Sequence, residues 1–420
     1  MKRTAALKGR LCRYLCLHDQ PQEQLLQLAA EYGTPLYVYD RDKIEEQYGK
    51  LKDAFAGNPT RIFYACKALS NLSILKVVQQ SGAGLDTVSI HEVRLGLRAG
   101  FAPEQILFTP NCVDFRVLSE ARELGVHLNI DNISLLEQFG NTFGGSYPIM
   151  IRLNPHIMAG GNIKISTGHI DSKFGISIHQ LRHIERIVKT TSLQVEGLHM
   201  HTGSEIKDIG VFLQGLEVML EVATHFPGIR YLDLGSGFKV PYSPGEKGTD
   251  VHLLGERLKE VMQQHNLESG RPLEIWFEPG KYLVSEAGTF LVQVNVIKQT
   301  PATVFAGVNS GFNHLIRPMF YEAYHHIDNL SNPQGTERIY TVVGNLCETD
   351  TFCWDRVLNE VREGDILCFR NAGAYGFEMS SRFNSRPRPA EVLFSHGRGQ
   401  LIRRRESFED LLHGQVDAEI

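Results

Sequence analysis

In Arg61-Ile-Phe-Tyr-Ala-Cys-Lys-Ala-Leu-Ser70, the apolar run from Ile62 to Cys66 has the length and character of a buried strand. Lys67 stands where that strand ends, small and polar residues follow, and a helical pattern begins near Asn71. A buried strand followed at once by a helix is a βα unit. The lysine adds a chemical signal. A desolvated ammonium loses affinity for its proton, and its amine becomes a nucleophile toward an aldehyde, a Schiff-base lysine. Taken alone, a lysine at a strand end is more often a snorkelling side chain, so the reading depends on its surroundings.

On both sides of this stretch the same unit recurs. Strands are predicted at Ile62–Cys66, Gly84–Ser89, Gln105–Thr109, His127–Asp131, Pro148–Asn154, Val195–His201, Ile229–Leu234 and Leu273–Glu278. The first five begin about 21 residues apart, with helical patterns at Asn71–Ser81, His91–Ala99, Phe115–Leu124 and Ser134–Phe139 between them. Eight such units over about 240 residues match the α/β architecture of a (β/α)8 TIM barrel. A doubly wound open sheet is the alternative, but it usually carries a Gly-rich first turn, and none follows Cys66. A barrel places its functional groups at the strand C-termini. Read off the sequence, these are Lys67, Asp86 and Ser89, Asn111, Asp131, Arg152 and Asn154, His201 to Ser204, Gly235-Ser236-Gly237 and Glu278-Pro-Gly280-Lys281. Polar groups at nearly every strand end are more than a purely structural barrel needs at one face.

Beyond about residue 283 the pattern turns to short β segments, at Thr289–Val296, Ala302–Val308, Thr336–Val343 and Asp365–Phe369. The expected organisation is a barrel over 39–282, followed by an all-β, sandwich- or barrel-like C-terminal domain made of 283–420 together with 1–38. In that first segment a helix is expected at Gln22–Tyr32 and a strand within Gly33–Asp40, with Asp40 capping the helix that starts at Arg41.

Composition narrows the function classes. The 420 residues are 42% hydrophobic and 22% charged with net charge -5, so no bulk basic field draws the chain to nucleic acid or anionic lipid. Arg403-Arg404-Arg405 is followed at once by Glu406 and reads as a solvated face. No apolar run approaches the roughly 18 residues of a membrane span, and no secretory h-region follows the charged start. The 7 cysteines, Cys12, Cys16, Cys347 and Cys353 among them, are scattered without CxxC or zinc spacing. Free thiols in a reducing cytoplasm are expected, and the strand-end His and Asp residues form no evident metal ligand set.

If the aldehyde for Lys67 is pyridoxal phosphate, the rest of the rim acquires roles. Its phosphate requires backbone N–H groups from glycine loops, which Gly203-Ser204 and Gly235-Ser236-Gly237 offer near the usual barrel phosphate position. Its ring nitrogen requires a carboxylate to stay protonated, and Glu278 is the candidate. His201 is placed to stack on the ring. Singly, each has a bland reading: a turn, a satisfied strand histidine, a helix start.

The motifs Tyr64-Ala-Cys-Lys67-Ala, His199-Met-His201-Thr-Gly-Ser204, Leu232-Asp-Leu-Gly-Ser-Gly-Phe238 and Glu278-Pro-Gly-Lys281 resemble the alanine-racemase-like (fold-type III) pyridoxal-phosphate decarboxylases. Gly311-Phe-Asn-His-Leu-Ile-Arg-Pro-Met-Phe-Tyr321, Cys347-Glu-Thr-Asp350, Gly373-Ala-Tyr-Gly376 and Ser385-Arg-Pro-Arg-Pro-Ala-Glu-Val392 are similar to the diaminopimelate decarboxylase family within it. The likeness runs from about Gly33 to Phe394, with the motifs in the family's order.

This resemblance implies decarboxylation of meso-2,6-diaminopimelate to L-lysine by a homodimer with shared active sites. It implies that Lys67 holds the cofactor, with Asp86 and Gly280 beside it, and that Tyr375 helps Ser204 and the glycine loop hold the phosphate. Cys347 of the neighbouring subunit would donate the proton that replaces CO2. Lys281, Arg317, Tyr321, Glu348 and Tyr375 would contact substrate. Arg317 suits the distal carboxylate as a bidentate fork and Glu348 the distal ammonium.

Four positions depart from the family pattern: Lys281 where arginine is usual, Ser236 for a middle glycine, Thr202 for a branched apolar residue and Asn309 for aspartate. The alternatives are decarboxylation of ornithine, arginine or carboxynorspermidine, racemase chemistry, a non-catalytic homologue, and a metal-dependent barrel hydrolase. Arg317 opposes the diamine-forming activities, and Glu278 opposes racemisation, which needs a weaker electron sink.

Overall fold

The computed structural model describes residues 22–157 and 172–418. Two compact units divide the chain. Among the described residues, one comprises those within 44–240 and 247–283, and the other comprises 22–43, Pro241–Glu246 and 284–418. The segment 1–21, expected to join the second domain, lies outside the described residues.

The first unit is a closed parallel barrel. Its strands are β2 (Thr60–Ala65), β3 (Gly84–Thr87), β4 (Ile106–Phe108), β5 (His127–Ile130), β6 (Ile149–Asn154), β8 (Val195–Met200), β9 (Tyr231–Asp233) and β10 (Glu274–Phe277). Each pairs in parallel with the next, β5 pairs with β6, and β10 returns to β2, which closes a ring of eight. A two-residue strand β7 (Ile176–Ser177) adds to β6 outside the ring. The eight predicted strands are all present within a few residues of their expected limits. They are legible because helices cover the outside and side chains fill the inside, so both faces are apolar. β3, β4, β6 and β8 are buried along their whole length.

Side-chain caps set where the helices begin. Asn71, Ser89, Asp114, Asn132 and Asp250 each accept a backbone N–H from the first turn of the helix that follows. These caps sit just past β2, β3, β4 and β5 and before the helix Val251–Ser269, which leads into β10. Strand ends and helix starts are thereby held together on one face, the face that carries the polar residues.

The second unit is a mixed sheet. Its strands are β1 (Leu36–Asp40), β11 (Gly288–Gln299), β12 (Val304–Val308), β13 (Ile327–Asn329), β14 (Glu337–Val343), β15 (Thr351–Asn359), β16 (Ile366–Phe369), β17 (Ala390–Ser395) and β18 (Arg398–Arg403), in the order β15-β14-β12-β11-β1-β17-β18, with β16 also pairing β11 and β13. β1 runs antiparallel to β11 and parallel to β17. Leu25, Leu28 and Ala29 of the helix Gln22–Tyr32 pack with Leu36, Val38, Leu291, Val392 and Phe394 as its core. The sequence pattern marks β11, β12, β14 and β16 but not β13, β15, β17 or β18. β18 is largely exposed and β15 half so, which removes the apolar run that marks a strand. Among the described residues no helix is long and apolar enough to cross a membrane.

Phe63, Leu107, Met150 and Trp276 come from four different strands and meet inside the barrel. Trp276 is fully buried, stacks on Tyr231 at 4.3 Å between ring centroids and meets the edge of His127 at 5.1 Å. Removing the indole leaves a cavity that rigid strands cannot collapse to fill, so Trp276→Ala is expected to cost about 3–5 kcal/mol. Chemical denaturation measures it, and a loss below about 1 kcal/mol would show that this cluster does not hold the barrel closed.

Candidate active site

The C-terminal ends of the barrel strands carry a connected set of charged groups. Lys67 lies in the short turn Cys66–Ala68 directly after β2. The turn is pinned by the Tyr64 hydroxyl, which donates to the Leu69 carbonyl at 3.0 Å, and by Ala65 N–H, which donates to the Pro279 carbonyl at 3.2 Å. Gly280 packs on this turn, where a Cβ would stand 3.0 Å from that of Ala68. Lys67 Nζ donates to Asp86 Oδ2 at 2.8 Å, and the Thr109 hydroxyl donates to the other oxygen of Asp86. Burial raises the fully buried Asp86 above the usual carboxylate range, the charge of Glu278 adds to this, and Lys67 opposes it. The sequence leaves open whether Lys67 is desolvated or snorkels; its side chain is 41% exposed and ion-paired, so the pairing defines its setting.

Glu278, at the end of β10, is the centre of this set. Burial works against its charge, yet His199, which also hydrogen-bonds it, and Lys67 hold its carboxyl down to about 2. His199 Nε2 lies 3.2 Å from Glu278 Oε2, while the buried Glu278 Oε1 is met by no N–H or hydroxyl among the described residues. The neighbouring Asp233 goes the other way. Burial, the charge of Glu278 and a hydrogen bond with it push it well above its usual range, and its Oδ1 accepts the Gly235 N–H at 2.8 Å. Two buried carboxyl groups shifted in opposite directions thus lie side by side. Ligand atoms of His199, Asp233 and Glu278 fall within 4.8 Å of one another, a grouping that sequence reasoning missed. The buried Arg152 faces Glu278, Asp131, Asp86 and Asp233.

His201 follows β8, two residues beyond His199. Burial, with Arg152 nearby, lowers its pKa to about 3, so the ring is neutral. Its Nδ1 accepts the Ser236 N–H at 3.3 Å, which places the ring proton on Nε2. Beside it, Gly235 has φ +64 and Gly237 φ +109, and a Cβ would stand 2.6 Å from the Met200 carbonyl or 2.2 Å from the Gly203 carbonyl. Only glycine fits either place. Ile206 N–H donates to the Gly237 carbonyl at 2.8 Å and locks this loop to the one carrying Ser204. The result is a cradle of backbone with Ser236 between its glycines. Lys281 lies nearby in the chain's fold but pairs with Glu205, whose other oxygen takes Lys239 Nζ at 3.0 Å. Neither Glu205 nor Lys239 stands out in the sequence.

The remaining expected residues belong to the β unit. Arg317 is buried, opens the short helix Arg317–Tyr321 and lies 4.8 Å over the ring of Tyr242. Tyr321 meets Phe320 edge-on at 4.7 Å. Tyr375 is held at φ +55. Cys347 and Glu348 are exposed on the turn between β14 and β15. Asn384 was not anticipated: it accepts the Cys347 N–H and donates to Cys347 Sγ, both at 3.1 Å. Asn309 has a structural occupation, donating to Thr34 Oγ1 at 2.8 Å and accepting Gln293 N–H at 3.0 Å, which explains how the position does without aspartate.

The barrel-rim residues fit pyridoxal phosphate. A buried carboxylate oxygen that no N–H or hydroxyl meets is what a protonated ring nitrogen requires, and Glu278 Oε1 is one. A backbone cradle free of obstructing side chains is what a phosphate requires.

A family model, the pyridoxal-binding domain of pyridoxal-dependent decarboxylases, matches residues 41–285. The chain is 40% identical to the diaminopimelate decarboxylase of Methanothermobacter thermautotrophicus over 404 residues, 93% of each chain. It is 37% identical to that of Pseudomonas aeruginosa over 401 residues, 93% of this chain and 95% of the relative. The crystal structure of diaminopimelate decarboxylase from Helicobacter pylori complexed with L-lysine superposes with a TM-score of 0.86 at 32% identity, covering 93% of this chain and 98% of that one.

Within the β unit one buried histidine titrates predictably. His325, buried beside Arg317, has its pKa lowered by burial and then by Arg317 to about 3. Unfolded, it binds its proton near the usual pKa of about 6.5. Stability that is complete above 6.5 is therefore lost as pH falls toward 3, because the unfolded chain takes up a proton that the folded chain refuses. His325→Gln should flatten the pH dependence of urea unfolding between pH 6.5 and 4 by about one proton, about 1.4 kcal/mol per pH unit. An unchanged slope would mean that His325 is already charged when folded.

Proposed function

The chain belongs to the pyridoxal-dependent decarboxylases of the diaminopimelate decarboxylase family, and we propose that it binds pyridoxal phosphate through Lys67 and converts meso-2,6-diaminopimelate to L-lysine and CO2. The observation that carries this reading is the buried, ionised Glu278 with one oxygen that no N–H or hydroxyl meets. A decarboxylase needs a strong electron sink, and a carboxylate at the ring nitrogen maintains one. A racemase of this fold needs the opposite.

When bound, pyridoxal phosphate takes up the electron pair that loss of CO2 leaves on carbon. The chain's own groups do the rest. Glu278 would keep a proton on the ring nitrogen, and the neutral His201 would stack on the ring without adding a competing charge. Asp86 orients the Lys67 amine. The Gly237 N–H and the hydroxyl of Ser204 would hold the phosphate in the glycine cradle, with Ser236 beside them and Tyr375 adding its own hydroxyl; the Gly235 and Ser236 N–H groups are engaged by Asp233 and His201 and shape that cradle. Lys281, steadied by Glu205, contributes positive charge at that edge. Arg317 grips the distal carboxylate of the substrate, Glu348 its distal ammonium, and Tyr321 bounds the same end. Cys347, supplied by the second subunit of a homodimer, gives its proton to the carbon that has lost CO2. A reducing, cytoplasmic setting suits thiols that stay unpaired, Cys112 and Cys347 exposed among them.

CO2 release from the protein supplied with pyridoxal phosphate is expected with meso-diaminopimelate, with L-lysine appearing, and not with ornithine, arginine or L-lysine. Release from ornithine or arginine would discard Arg317 and Glu348 as the distal clamp. Lys67→Ala should lose both the cofactor's visible absorbance and turnover. Mixing Lys67→Ala with Cys347→Ala chains should recover part of the activity, and no recovery would argue for sites built within one subunit.

A further inference from the structure

Asn384 lies 37 residues beyond Cys347, in a stretch where it and Ser385 both have left-handed backbones, φ +57 and +54. Left-handed conformations at two successive non-glycine residues are costly and persist only where surrounding contacts impose them. One such contact is the double clasp on Cys347. The Cys347 backbone N–H can only donate, so the amide atom it meets at 3.1 Å is the oxygen. The amide nitrogen is then fixed on the other side, facing Cys347 Sγ at 3.1 Å. The orientation of the amide is thus dictated by the backbone, and a donor is aimed at the sulfur.

The turn that carries Cys347 is held equally firmly from its base. Asp350 is buried and accepts the N–H groups of Phe312 at 2.7 Å and Leu346 at 3.0 Å. Asn345 N–H donates to the Ser310 carbonyl at 2.9 Å, and Gly344 N–H to the Asp350 carbonyl at 2.7 Å. Phe383, next to Asn384, stacks on Phe312 at 5.6 Å. Asp350 therefore places the turn, and Asn384 places the thiol at its tip.

We propose that Asn384 is a positioning residue for proton delivery: its carbonyl oxygen fixes the Cys347 backbone and its N–H holds the sulfur as the proton leaves. The inference rests on the reading of Cys347 as the donor. In that step the S–H bond breaks, the proton goes to the carbon that has lost CO2, and the electron pair stays on sulfur, which later regains a proton from water. A neutral thiol gains little from a facing N–H, whereas a thiolate gains a charge-assisted hydrogen bond. The contact is therefore stronger in the transition state than before it, which is the condition for raising kcat rather than lowering KM.

Asn384→Asp in the holoenzyme isolates the effect. It keeps an acceptor for Cys347 N–H but sets a carboxylate oxygen against the sulfur in place of a donor. Turnover of meso-diaminopimelate is expected to fall in kcat by about tenfold or more with KM within about threefold, as for an interaction made only in the transition state. Alkylation of Cys347 by iodoacetamide at fixed pH, followed on its own peptide by mass spectrometry, should slow by a similar factor, since the thiolate is the nucleophile. Asn384→Ala, which removes both contacts, should also lower kcat. Alkylation and kcat within about twofold of the unsubstituted enzyme would overturn the proposal, as would a change confined to KM. Slowed alkylation with unchanged kcat would overturn it as well, and unchanged turnover in Cys347→Ala would then trace the failure to the donor role of Cys347.

Discussion

The barrel is organised around a charge it cannot easily hold. Glu278 sits on a fully apolar strand end where burial opposes ionisation, and it is ionised nonetheless. An unpaired buried carboxylate costs several kcal/mol unless neighbours compensate. Here they do so in a definite division of labour. His199 faces one oxygen, Lys67 and Arg152 contribute positive charge, and Asp233, pushed well above its usual range by burial and by Glu278, resists a second negative charge. Each neighbour stands at or near the end of a different strand, so the barrel itself fixes their spacing.

Several rim features follow from that arrangement. Because Asp233 is occupied with the Gly235 N–H, it also shapes the entrance to the glycine loop. Because Ser236 N–H is directed at His201, the same loop selects the tautomer of the ring expected to stack on the cofactor. The electrostatics of the ring-nitrogen end and the shape of the phosphate end are therefore coupled through two backbone N–H groups. At the far side of the cradle, Glu205 joins Lys239 and Lys281. A lysine has no planar fork and gains direction only from a partner, and the carboxylate of Glu205 is one for Lys281.

What the sequence reveals follows the range of the forces involved. Barrel strands announce themselves because burial on both faces leaves apolar runs, and the helix start at Arg41 because Asp40 is a local cap, accepting the Lys43 N–H at 3.2 Å. The tendency of barrels to carry functional groups at strand ends then assigns Lys67, Asp86, His201 and Glu278 to one rim from residue order alone. Interactions between distant segments leave no such trace. Glu205 meets Lys239 and Lys281 across 34 and 76 residues, and Asn384 meets Cys347 across 37. The ion pair of Lys67 with Asp86 also spans separate segments, 19 residues apart, although the rim reading already puts the two on one face. His199 and Asp233 stand inside motifs that the sequence already marks, and the strand period of two places His199 on the same side as His201.

Glu278→Gln poses the decisive question, because it removes one charge and little else. With Lys67 still able to hold the cofactor, the visible absorbance of the bound group should survive. The rate of CO2 release from meso-diaminopimelate should fall by about a hundredfold or more, the scale on which preorganised electrostatic groups act. Turnover within a few-fold of the unsubstituted enzyme would contradict the view that a buried carboxylate at the ring nitrogen drives the reaction.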